Sequence, residues 1–388
     1  MSIVALIRCE SYDYLEVKNA VERGFQLLGG PDKFARTNEK ILLKPNFLAG
    51  DPPEKCTNTH FAVFKAVSES LKKTGAIITY GDSPGFGSAK STAVKCGIYT
   101  AAQEVGIELV EFTDGEDIFF KEGIQNRKFT IAKPVLASDG IISLPKFKTH
   151  GLTLLTGAIK NQFGCVPGYL KGEYHVKLAD PDKFAQMLVD LNKLIKPRLF
   201  IMDGIIAMEG NGPRGGKPHK MNALLFSTDP VALDATVCRM VKVNPELIPS
   251  IRYGRDQGLG VCSEDEIKIV GDSLKGFISA DFDIRTESRT PSSGFKQFIN
   301  NLLMKLLGNL FVQKPYIISD ECVKCGICVT MCPVNPKAVD WHDGDKTKPP
   351  SYKYEQCIKC YCCQEVCPEG AIELKVPFLR RLFLKTRR

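Results

Sequence analysis

Two runs of cysteines near the end of the chain have a spacing that suits iron binding. Residues 322–333 follow the pattern C-x2-C-x2-C-x3-C, and residues 357–368 repeat it. A proline follows the fourth cysteine of each run. The cysteines are Cys322, Cys325, Cys328 and Cys332 in the first run, and Cys357, Cys360, Cys363 and Cys367 in the second run. Their thiolates are enough to hold two iron–sulfur clusters.

The spacing also predicts which cysteines share a cluster. Three cysteines at i, i+3 and i+6 close on three corners of one [4Fe–4S] cubane, and the cysteine before proline ligates the other cluster. We therefore predict a first cluster on Cys322, Cys325, Cys328 and Cys367, and a second cluster on Cys357, Cys360, Cys363 and Cys332. Zinc is the alternative, but a zinc site needs neither the third cysteine nor the Cys-Pro ending. We interpret the extra Cys362 as a bystander.

The composition is that of a globular protein with two or three domains. The chain has 388 residues, 44% hydrophobic and 25% charged, with 15 cysteines and a formal charge of +8. Without a recognisable secretory signal or an apolar run of about 20 residues, we expect a cytoplasmic protein with reduced thiols. The positive charge serves solubility or attracts acidic partners and anionic substrates. Basic residues are scattered without aromatic interleaving, so we expect no nucleic-acid partner.

The rest of the chain alternates predicted strands and helices up to about residue 275. Predicted strands lie at 2–9, 40–47, 76–80, 107–112, 198–203, 222–227 and 267–270, and predicted helices at 14–28, 59–73, 91–104, 183–195 and 229–241. This alternation predicts an α/β fold with a mostly parallel sheet and helices on both faces. The cysteine runs predict a small additional α+β ferredoxin-like domain with two clusters.

These patterns divide the chain into four parts. We predict that residues 1–275 form a substrate-binding α/β domain and that residues 317–376 form the ferredoxin-like domain. Residues 276–316 between them are predicted to be a linker with an amphipathic helix at 295–311. The amphipathic helix either docks that domain or serves as an interfacial helix or lid. The basic tail at 377–388 is either solvated or contacts an anionic membrane surface or an acidic protein.

Polar residues follow several predicted strands of the α/β domain, where open parallel sheets bind ligands. For catalysis we predict Asp82, His150 and Lys160; for substrate binding we predict Lys44, Asn46, Ser83, Lys146, Lys148, Asn161, Asp203 and Arg214. Lysine, arginine, histidine and asparagine bind anions, and the two aspartates suit acid/base chemistry or metal binding. The alternative is that these lysines are solvated and that His150 is a structural histidine.

One glycine motif resembles a nucleotide-binding fingerprint but does not satisfy its context. Residues 210–215 fit G-x-G-x-x-G. The dinucleotide fingerprint requires a strand, a turn and then a helix, and here the next predicted element is a strand. We therefore predict no dinucleotide site.

Several short motifs, taken in order, resemble the family called "domain of unknown function 362". They are Lys44-Pro45-Asn46, Gly81-Asp82-Ser83, Leu144-Pro145-Lys146 with Lys148-Thr149-His150, Gly157 with Lys160-Asn161, and Asp229-Pro230-Val231-Ala232 with Asp234. The resemblance covers roughly residues 1–275, and this family is often fused to a ferredoxin-like domain. It implies the two-part architecture and the importance of these polar stretches, and it implies no substrate.

The sequence favours an iron–sulfur oxidoreductase of anaerobic or low-oxygen metabolism. An external carrier such as ferredoxin or flavodoxin would reduce the clusters, and a small anionic substrate in the α/β domain would accept low-potential electrons. Two other hypotheses stay open. The chain is an electron-transfer or activation subunit for a partner metalloenzyme, or a binding module whose clusters are structural or sense redox state.

Overall fold

The structure is a computed structural model that describes residues 1–284 and 313–375. We call these two ranges the body and the cluster module. The helix predicted at 295–311 and the basic tail predicted at 377–388 lie outside the described residues. Within the described ranges, no helix is both long and apolar enough to cross a membrane.

The body is built on one large sheet. The strands of the body are β1 (Ser2–Arg8), β2 (Lys40–Pro45), β3 (Ile77–Tyr80), β4 (Glu108–Leu109), β5 (Gly115–Phe119), β6 (Lys128–Ala132), β7 (Gly140–Leu144), β8 (Lys146–His150), β9 (Leu154–Thr156), β10 (Leu199–Glu209), β11 (Lys217–Ser227) and β12 (Ile267–Gly271). Strands β5 and β6 form a separate two-stranded hairpin, and the others belong to the large sheet. The main order is β12-β1-β11-β10-β7-β2-β3-β4; β8 also pairs with β10, and β9 pairs with β8. Pairing is parallel from β10 to β4 and between β12 and β1, whereas β11 is antiparallel to both neighbours. The fold is therefore α/β with a mostly parallel sheet, as predicted.

Helices cover both faces of this sheet. They are α1 (Tyr14–Leu27), α2 (Phe61–Lys72), α3 (Ala89–Lys95), α4 (Ile98–Val105), α5 (Lys133–Leu136), α6 (Ala158–Asn161), α7 (Gly168–Lys177), α8 (Pro181–Ile195), α9 (Pro230–Met240) and α10 (Pro249–Asp256). Successive side chains of a strand point to opposite faces. In β1, Val4 and Leu6 join the core that contains α8 and α9, whereas Ala5 and Ile7 join the core that contains α1 and α2. Strands covered on both faces read as continuous apolar runs, which explains the sequence of β1.

Some elements differ from the sequence prediction. The single helix predicted at 91–104 is two helices, α3 and α4, because Gly97 adopts a left-handed conformation (φ 82°) between them. The polar stretch that begins at Lys146 was predicted to lie beyond a strand end, but it forms β8 and pairs with β9 and β10. Strands β10 and β11 extend well beyond their predicted bounds and form an antiparallel hairpin. The element predicted to follow residues 210–215, a strand rather than a helix, is present as β11.

The start of the predicted linker packs against the body. Phe277 and Phe282 are buried in its core, and the Phe282 ring stacks on Phe147 with 5.0 Å between centroids. These two aromatic side chains therefore anchor residues that follow the last strand of the sheet.

The cluster module contains a repeated small unit. Its strands are β13 (Lys314–Ile317), β14 (Val339–Asp340), β15 (Ser351–Tyr352) and β16 (Ile372–Lys375), and each cysteine run contains a short helix, Ile327–Thr330 or Cys362–Val366. Strand β13 pairs antiparallel with β16, and β14 pairs antiparallel with β15. Strands β14 and β16 follow the Cys-Pro endings of the first and second runs.

The second of these helices, Cys362–Val366, packs against the body. We call it the interface helix. Gln364 Nε2 donates hydrogen bonds to the carbonyl oxygens of Asn211 (3.2 Å) and Gly212 (2.8 Å). The Asn211 side chain donates two hydrogen bonds to backbone carbonyls of the module. Leu374 of the module joins the main core of the body. The second cysteine run is therefore packed against the α/β domain.

Candidate functional site

Four cysteines surround one cavity of the cluster module. The cavity is lined by Cys322, Cys325, Cys328 and Cys367. Its volume is about 370 Å³, which includes the part that is open to solvent. Three come from the first run and the fourth from the second run, which is the set predicted for the first cluster. Thiolates are the usual ligands of iron–sulfur clusters, so the donor chemistry fits such a group. The individual ligand assignments stay predictions.

The arrangement differs from a site for one metal ion. In residues 1–284 and 313–375, no three histidine, cysteine, aspartate or glutamate side chains converge to hold a single ion. A mononuclear zinc site would place its sulfurs about 2.3 Å from one point.

The backbone of each run is shaped in the same way. Lys324 and Gly326 in the first run have positive φ values of 60° and 74°. Lys359 and Tyr361, at the matching positions of the second run, have 58° and 63°. In a turn, residues with left-handed backbone angles direct successive backbone N–H groups into one concave surface. Many iron–sulfur sites have this geometry. Both loops therefore have the backbone form that would surround an anionic cluster.

The second set of cysteines also gathers. Burial raises the pKa of the Cys357 thiol, and Cys332 and Cys360 are close enough for their charges to raise it further. Cys357 and Cys360 act in the same way on the pKa of the buried Cys363. Cys332 and Cys363 pack in one small core of the module, which also contains Cys328 and Cys367 of the first set. The set predicted for the second cluster is thus brought together, with one member supplied by the first run.

The two runs differ in exposure. Cys325 is exposed and its neighbour Val323 is 61% exposed. Cys360 and Cys363 are buried, and the whole interface helix is buried with them. The first run is therefore open to solvent at Cys325, although its Cys328 is buried, whereas the second run faces the body.

Within the body, a buried ion pair lies at the carboxyl ends of β2 and β3. Lys44 Nζ lies 2.8 Å from Asp82 Oδ1, and both side chains are almost completely buried. Asp82 Oδ2 accepts a hydrogen bond from the Phe47 N–H (2.8 Å), and Oδ1 accepts one from the Ser83 N–H (2.8 Å). A Cβ atom on Gly164 would overlap both Asp82 and Lys44, so only glycine fits there. The pair is held firmly, and the two charges neutralise each other.

Two predicted asparagines lie beside this ion pair. Asn161 Nδ2 donates to Ser143 Oγ at 2.9 Å and lies 3.4 Å from the Lys44 carbonyl oxygen. Asn46 follows β2, and its backbone N–H donates to Thr59 Oγ1. The Oδ1 atoms of Asn46 and Asn161 are buried without a hydrogen-bond partner among the described residues. Such unpaired buried acceptors are uncommon and suit a water molecule or a ligand that donates hydrogen bonds.

A second buried ion pair lies on the neighbouring strands. Lys146 Nζ lies 2.8 Å from Asp203 Oδ2 and donates to Tyr12 Oη at 2.7 Å. Tyr12 Oη donates to Asp203 Oδ1 at 2.7 Å, and its ring stacks on His60 at 3.6 Å. This network satisfies Lys146 and Asp203 internally. The nearby Lys148 Nζ donates to the Thr57 carbonyl oxygen, and burial lowers the pKa of Lys148 well below its usual value.

His150 meets the interface helix. Its Nδ1 accepts hydrogen bonds from the Leu152 N–H (3.0 Å) and the Thr153 N–H (3.4 Å), so the ring proton belongs on Nε2. Nε2 lies 3.0 Å from Glu365 Oε1, without the alignment of a hydrogen bond. Burial lowers the pKa of His150 to about 4. The neutral imidazole therefore directs its N–H side toward a carboxylate of the cluster module.

Lys160 lies between the body site and the module. Glu365 and Cys362 are within its electrostatic range on one side, and Lys44 and Asp82 on the other. Burial lowers the pKa of Lys160, although part of the residue reaches solvent. In the part of the chain that the structure describes, its ammonium group makes no hydrogen bond or ion pair. Burial would raise the pKa of Glu365, but the nearby His150 and Lys160 outweigh it and hold that pKa far below its usual value.

The predicted residues thus fall into three places. Lys44, Asn46, Asp82, Ser83, Lys160 and Asn161 lie together at the carboxyl ends of β2 and β3. Lys146 and Asp203 form the neighbouring ion pair, and Lys148 and His150 follow Lys146 on the same strand, β8. Arg214 lies elsewhere, where its Nε and Nη2 bind Asp51 at 2.8 Å each and its Nη1 donates to the Val366 carbonyl oxygen. Its guanidinium is committed to the interface with the cluster module.

Sequence reasoning missed three groups next to the site. Glu365 lies inside the second cysteine run. The only sequence signal for it is a carboxylate residue among the cysteine ligands. His175 is buried near Glu365 and its pKa is lowered by burial to about 4. Lys171 donates to the carbonyl oxygens of Ser83 and Pro84, and burial lowers its pKa to about 8. Both belong to α7, a helix that was not predicted.

Two families match this chain. Residues 41–239 match "Domain of unknown function (DUF362)", and residues 312–371 match "4Fe-4S dicluster domain". The first match covers about half of the chain, so the protein belongs to the DUF362 family, with a C-terminal domain that binds 4Fe-4S clusters. Both assignments confirm the family resemblance found in the sequence.

Known proteins add one clear relative. A thylakoid-associated protein of Synechocystis sp. is 35% identical over 257 residues, which cover 66% of this chain and 79% of the relative. The lactate racemase apoprotein of Thermoanaerobacterium thermosaccharolyticum gives a TM-score of 0.42 at 11% identity, over 62% of this chain and 57% of that chain. A Thermotoga maritima protein gives 0.37 at 11% identity, over 58% and 57%. This chain thus spans less than two thirds of either solved protein.

Proposed function

We propose that this protein is an iron–sulfur oxidoreductase that passes low-potential electrons from two [4Fe–4S] clusters to a small anionic substrate in the body. The observation that carries the proposal is the position of the interface helix. It follows two predicted ligands of the second cluster, Cys357 and Cys360, and contains the third, Cys363. The same helix places Glu365 3.0 Å from His150, beside Lys160.

The exposure of the two runs supports a direction for the transfer. The first run faces solvent, where an external carrier such as ferredoxin or flavodoxin can approach Cys325. The second run faces the polar site of the body. Bound clusters supply one-electron transfers. The predicted ligand sets would leave one cluster open to a donor and bring the other next to the candidate site.

The charges of the body restrict the substrate. Lys44 and Lys146 are neutralised by aspartates, and Lys148 is bound to a carbonyl oxygen. Lys160 is the cation that would compensate a negative charge on a ligand. The neutral His150, with its proton on Nε2, would act next to it as a hydrogen-bond donor. A small, singly charged anion suits this arrangement better than a polyanion.

Reoxidation of the reduced protein tests the proposal. The protein is purified without oxygen, reduced with dithionite, and mixed with a panel of cell metabolites while cluster absorbance is followed. We expect at least one small anion to reoxidise the clusters, and Lys160→Ala to slow that reaction about 100-fold without losing cluster absorbance. Lys353→Ala, an exposed lysine of the module, is the control and should react as the native chain does. If no metabolite reoxidises the protein faster than buffer, the oxidoreductase proposal fails.

A second candidate function is electron delivery to a partner metalloenzyme. It is favoured by the internal pairing of Lys44 with Asp82 and Lys146 with Asp203, which leaves little unpaired charge for a substrate. In that case a partner protein, and no metabolite, would reoxidise the clusters in the same experiment.

We further propose that the chain can contact a membrane surface. The name of the Synechocystis relative places that protein at thylakoids. In this chain, residues 375–388 carry six basic and no acidic residues, a composition that attracts anionic lipid headgroups. Sedimentation with anionic vesicles, compared between the full chain and a chain ending at residue 376, tests this contact. The cytoplasmic location expected from the sequence stays a prediction.

A further inference from the structure

The segment between the two cysteine runs contains two aromatic residues, and each of them contacts one of the runs. Strands β14 and β15 pair with Val339 opposite Tyr352 and Asp340 opposite Ser351. Trp341 follows β14 directly, and Tyr352 belongs to β15. The hairpin therefore fixes the backbone positions of both aromatic residues relative to each other.

Tyr352 contacts a predicted ligand of the second cluster. Its Oη donates a hydrogen bond to Cys363 Sγ at 3.2 Å. Its ring stacks on Tyr354, with 5.5 Å between centroids and 12° between planes. Tyr354 Oη donates to the Pro315 carbonyl oxygen instead. The two tyrosine rings are thus neighbours, but only the Tyr352 hydroxyl of the two donates to a cysteine sulfur.

Trp341 contacts the loop of the first cluster. A Cβ atom on Gly326 would lie 2.9 Å from Trp341 Cη2 and 3.3 Å from Cζ3, so the indole edge covers this glycine. Gly326 follows the exposed Cys325 and lines the same cavity as the four cysteines of the first set. Trp341 Nε1 donates to the Lys348 carbonyl oxygen at 2.8 Å, which fixes the ring orientation. The indole therefore shields part of the solvent-facing loop.

These two contacts act on reduction potential in opposite directions. Reduction adds negative charge to a cluster, so a hydrogen bond to a ligand sulfur favours the reduced form. Water around a cluster also favours the more highly charged reduced form, and a shielding indole removes water. Tyr352 therefore raises the potential of the second cluster, while Trp341 lowers the potential of the first.

We propose that the β14–β15 hairpin favours electron flow from the first cluster to the second, because Tyr352 makes the second cluster easier to reduce and Trp341 makes the first cluster harder to reduce. Both contacts oppose the effect of the greater exposure of Cys325, which by itself favours reduction of the first cluster. Electrons that enter at the exposed first cluster then move to the second cluster, which adjoins the body. This inference rests on the two-cluster arrangement of the proposed function. It adds the residues that order the two potentials and requires no particular substrate.

Potentiometric titration of the anaerobic full-length protein, followed by electron paramagnetic resonance, tests this inference. The native protein should show two one-electron steps. In Tyr352→Phe, the step at the higher potential should move to a lower potential, and the other step should stay in place. We expect the equilibrium constant for electron transfer between the clusters to fall about tenfold, which corresponds to a shift of about 59 mV for one electron. Tyr354→Phe is the matched control and should leave both steps unchanged.

Trp341 provides an independent variant. Trp341→Ala should move the lower-potential step upward and leave the higher one in place, while Trp341→Phe should restore most of the native value. The inference is overturned if Tyr352→Phe moves the lower-potential step, moves both steps equally, or moves neither. If Tyr352→Phe does not assemble clusters, the Trp341 pair decides by the same criterion. A native protein with no reducible 4Fe-4S signal would instead defeat the proposed function itself.

Discussion

The two cysteine runs have the same spacing and the same left-handed backbone positions, yet their surroundings are opposite. Thr330 of the first run and Glu365 of the second run each lie two residues after the third cysteine of their run. Thr330 is exposed, whereas Glu365 is buried against His150. The comparison shows that the cysteine pattern determines the ligand loops, while the residues between the cysteines determine what each loop faces.

The same difference extends to the neighbouring residues of the body. Val329, the first-run counterpart of Gln364, has an apolar side chain that cannot form hydrogen bonds. Gln364, in contrast, donates hydrogen bonds to Asn211 and Gly212. A duplicated motif has thus acquired one face for solvent and one face for the body. This asymmetry suits a module that receives electrons on one side and releases them on the other.

The largest effect is expected from breaking the exchange of ligands between the runs. Cys367 belongs to the second run but lines the cavity of the first set. Cys367→Ala should therefore lose the first cluster and keep the second, and Cys332→Ala should do the reverse. Each variant should retain about four of about eight iron atoms per chain. Iron and sulfide analysis with electron paramagnetic resonance measures this.

Cys362→Ala is the control for that experiment, because Cys362 is adjacent to a predicted ligand but is not predicted to bind iron. It should retain the full iron content. Loss of iron from Cys362→Ala, with none from Cys367→Ala, would contradict the predicted ligand sets.

A smaller effect is expected when the counterpart residues of the two runs are exchanged for alanine. Glu365→Ala removes the carboxylate from a buried site and leaves Lys160 without its nearby negative charge. We expect a loss of about 3 kcal/mol in the free energy of unfolding. Thr330→Ala, at the exposed position, should change it by less than about 0.5 kcal/mol. Anaerobic urea unfolding followed by circular dichroism measures both, and equal effects would show that the two runs have similar surroundings.

The smallest effect concerns pH. The pKa of His150 in the folded state is about 4, below its ordinary value of about 6.5. Between these values the unfolded chain binds more protons, so the contribution of His150 to stability is lost as pH falls from about 6.5 to about 4. His150→Gln should make the decline of stability over this window less steep. His342→Gln, at an exposed histidine after β14, should leave the slope unchanged.

Much of this arrangement could be predicted from local sequence. The cysteine spacing indicated the cluster loops, and the alternation of apolar segments indicated the parallel sheet, because both depend on nearby residues. The pairing of Lys44 with Asp82 and of Lys146 with Asp203 could not be predicted, since it depends on which strands become neighbours. Consequently the predicted group of free cations is largely neutralised.

The position of the interface helix is a further feature that the sequence did not indicate. Glu365 and His150 are far apart along the chain, and their contact depends on how the module packs against β8 and β9. The role of Arg214 illustrates the same limit. Its place in a glycine-rich loop suggested anion binding, but the structure commits its guanidinium to Asp51 and the Val366 carbonyl oxygen.

The central claim, that the first cluster faces solvent and the second faces the body, is tested most directly by magnetic relaxation. A dysprosium chelate that stays in solution is added to reduced Cys332→Ala, which should keep the first cluster, and to reduced Cys367→Ala, which should keep the second. We predict strong relaxation enhancement of the electron paramagnetic resonance signal in Cys332→Ala and little in Cys367→Ala. Equal enhancement in the two variants, or stronger enhancement in Cys367→Ala, would contradict the account.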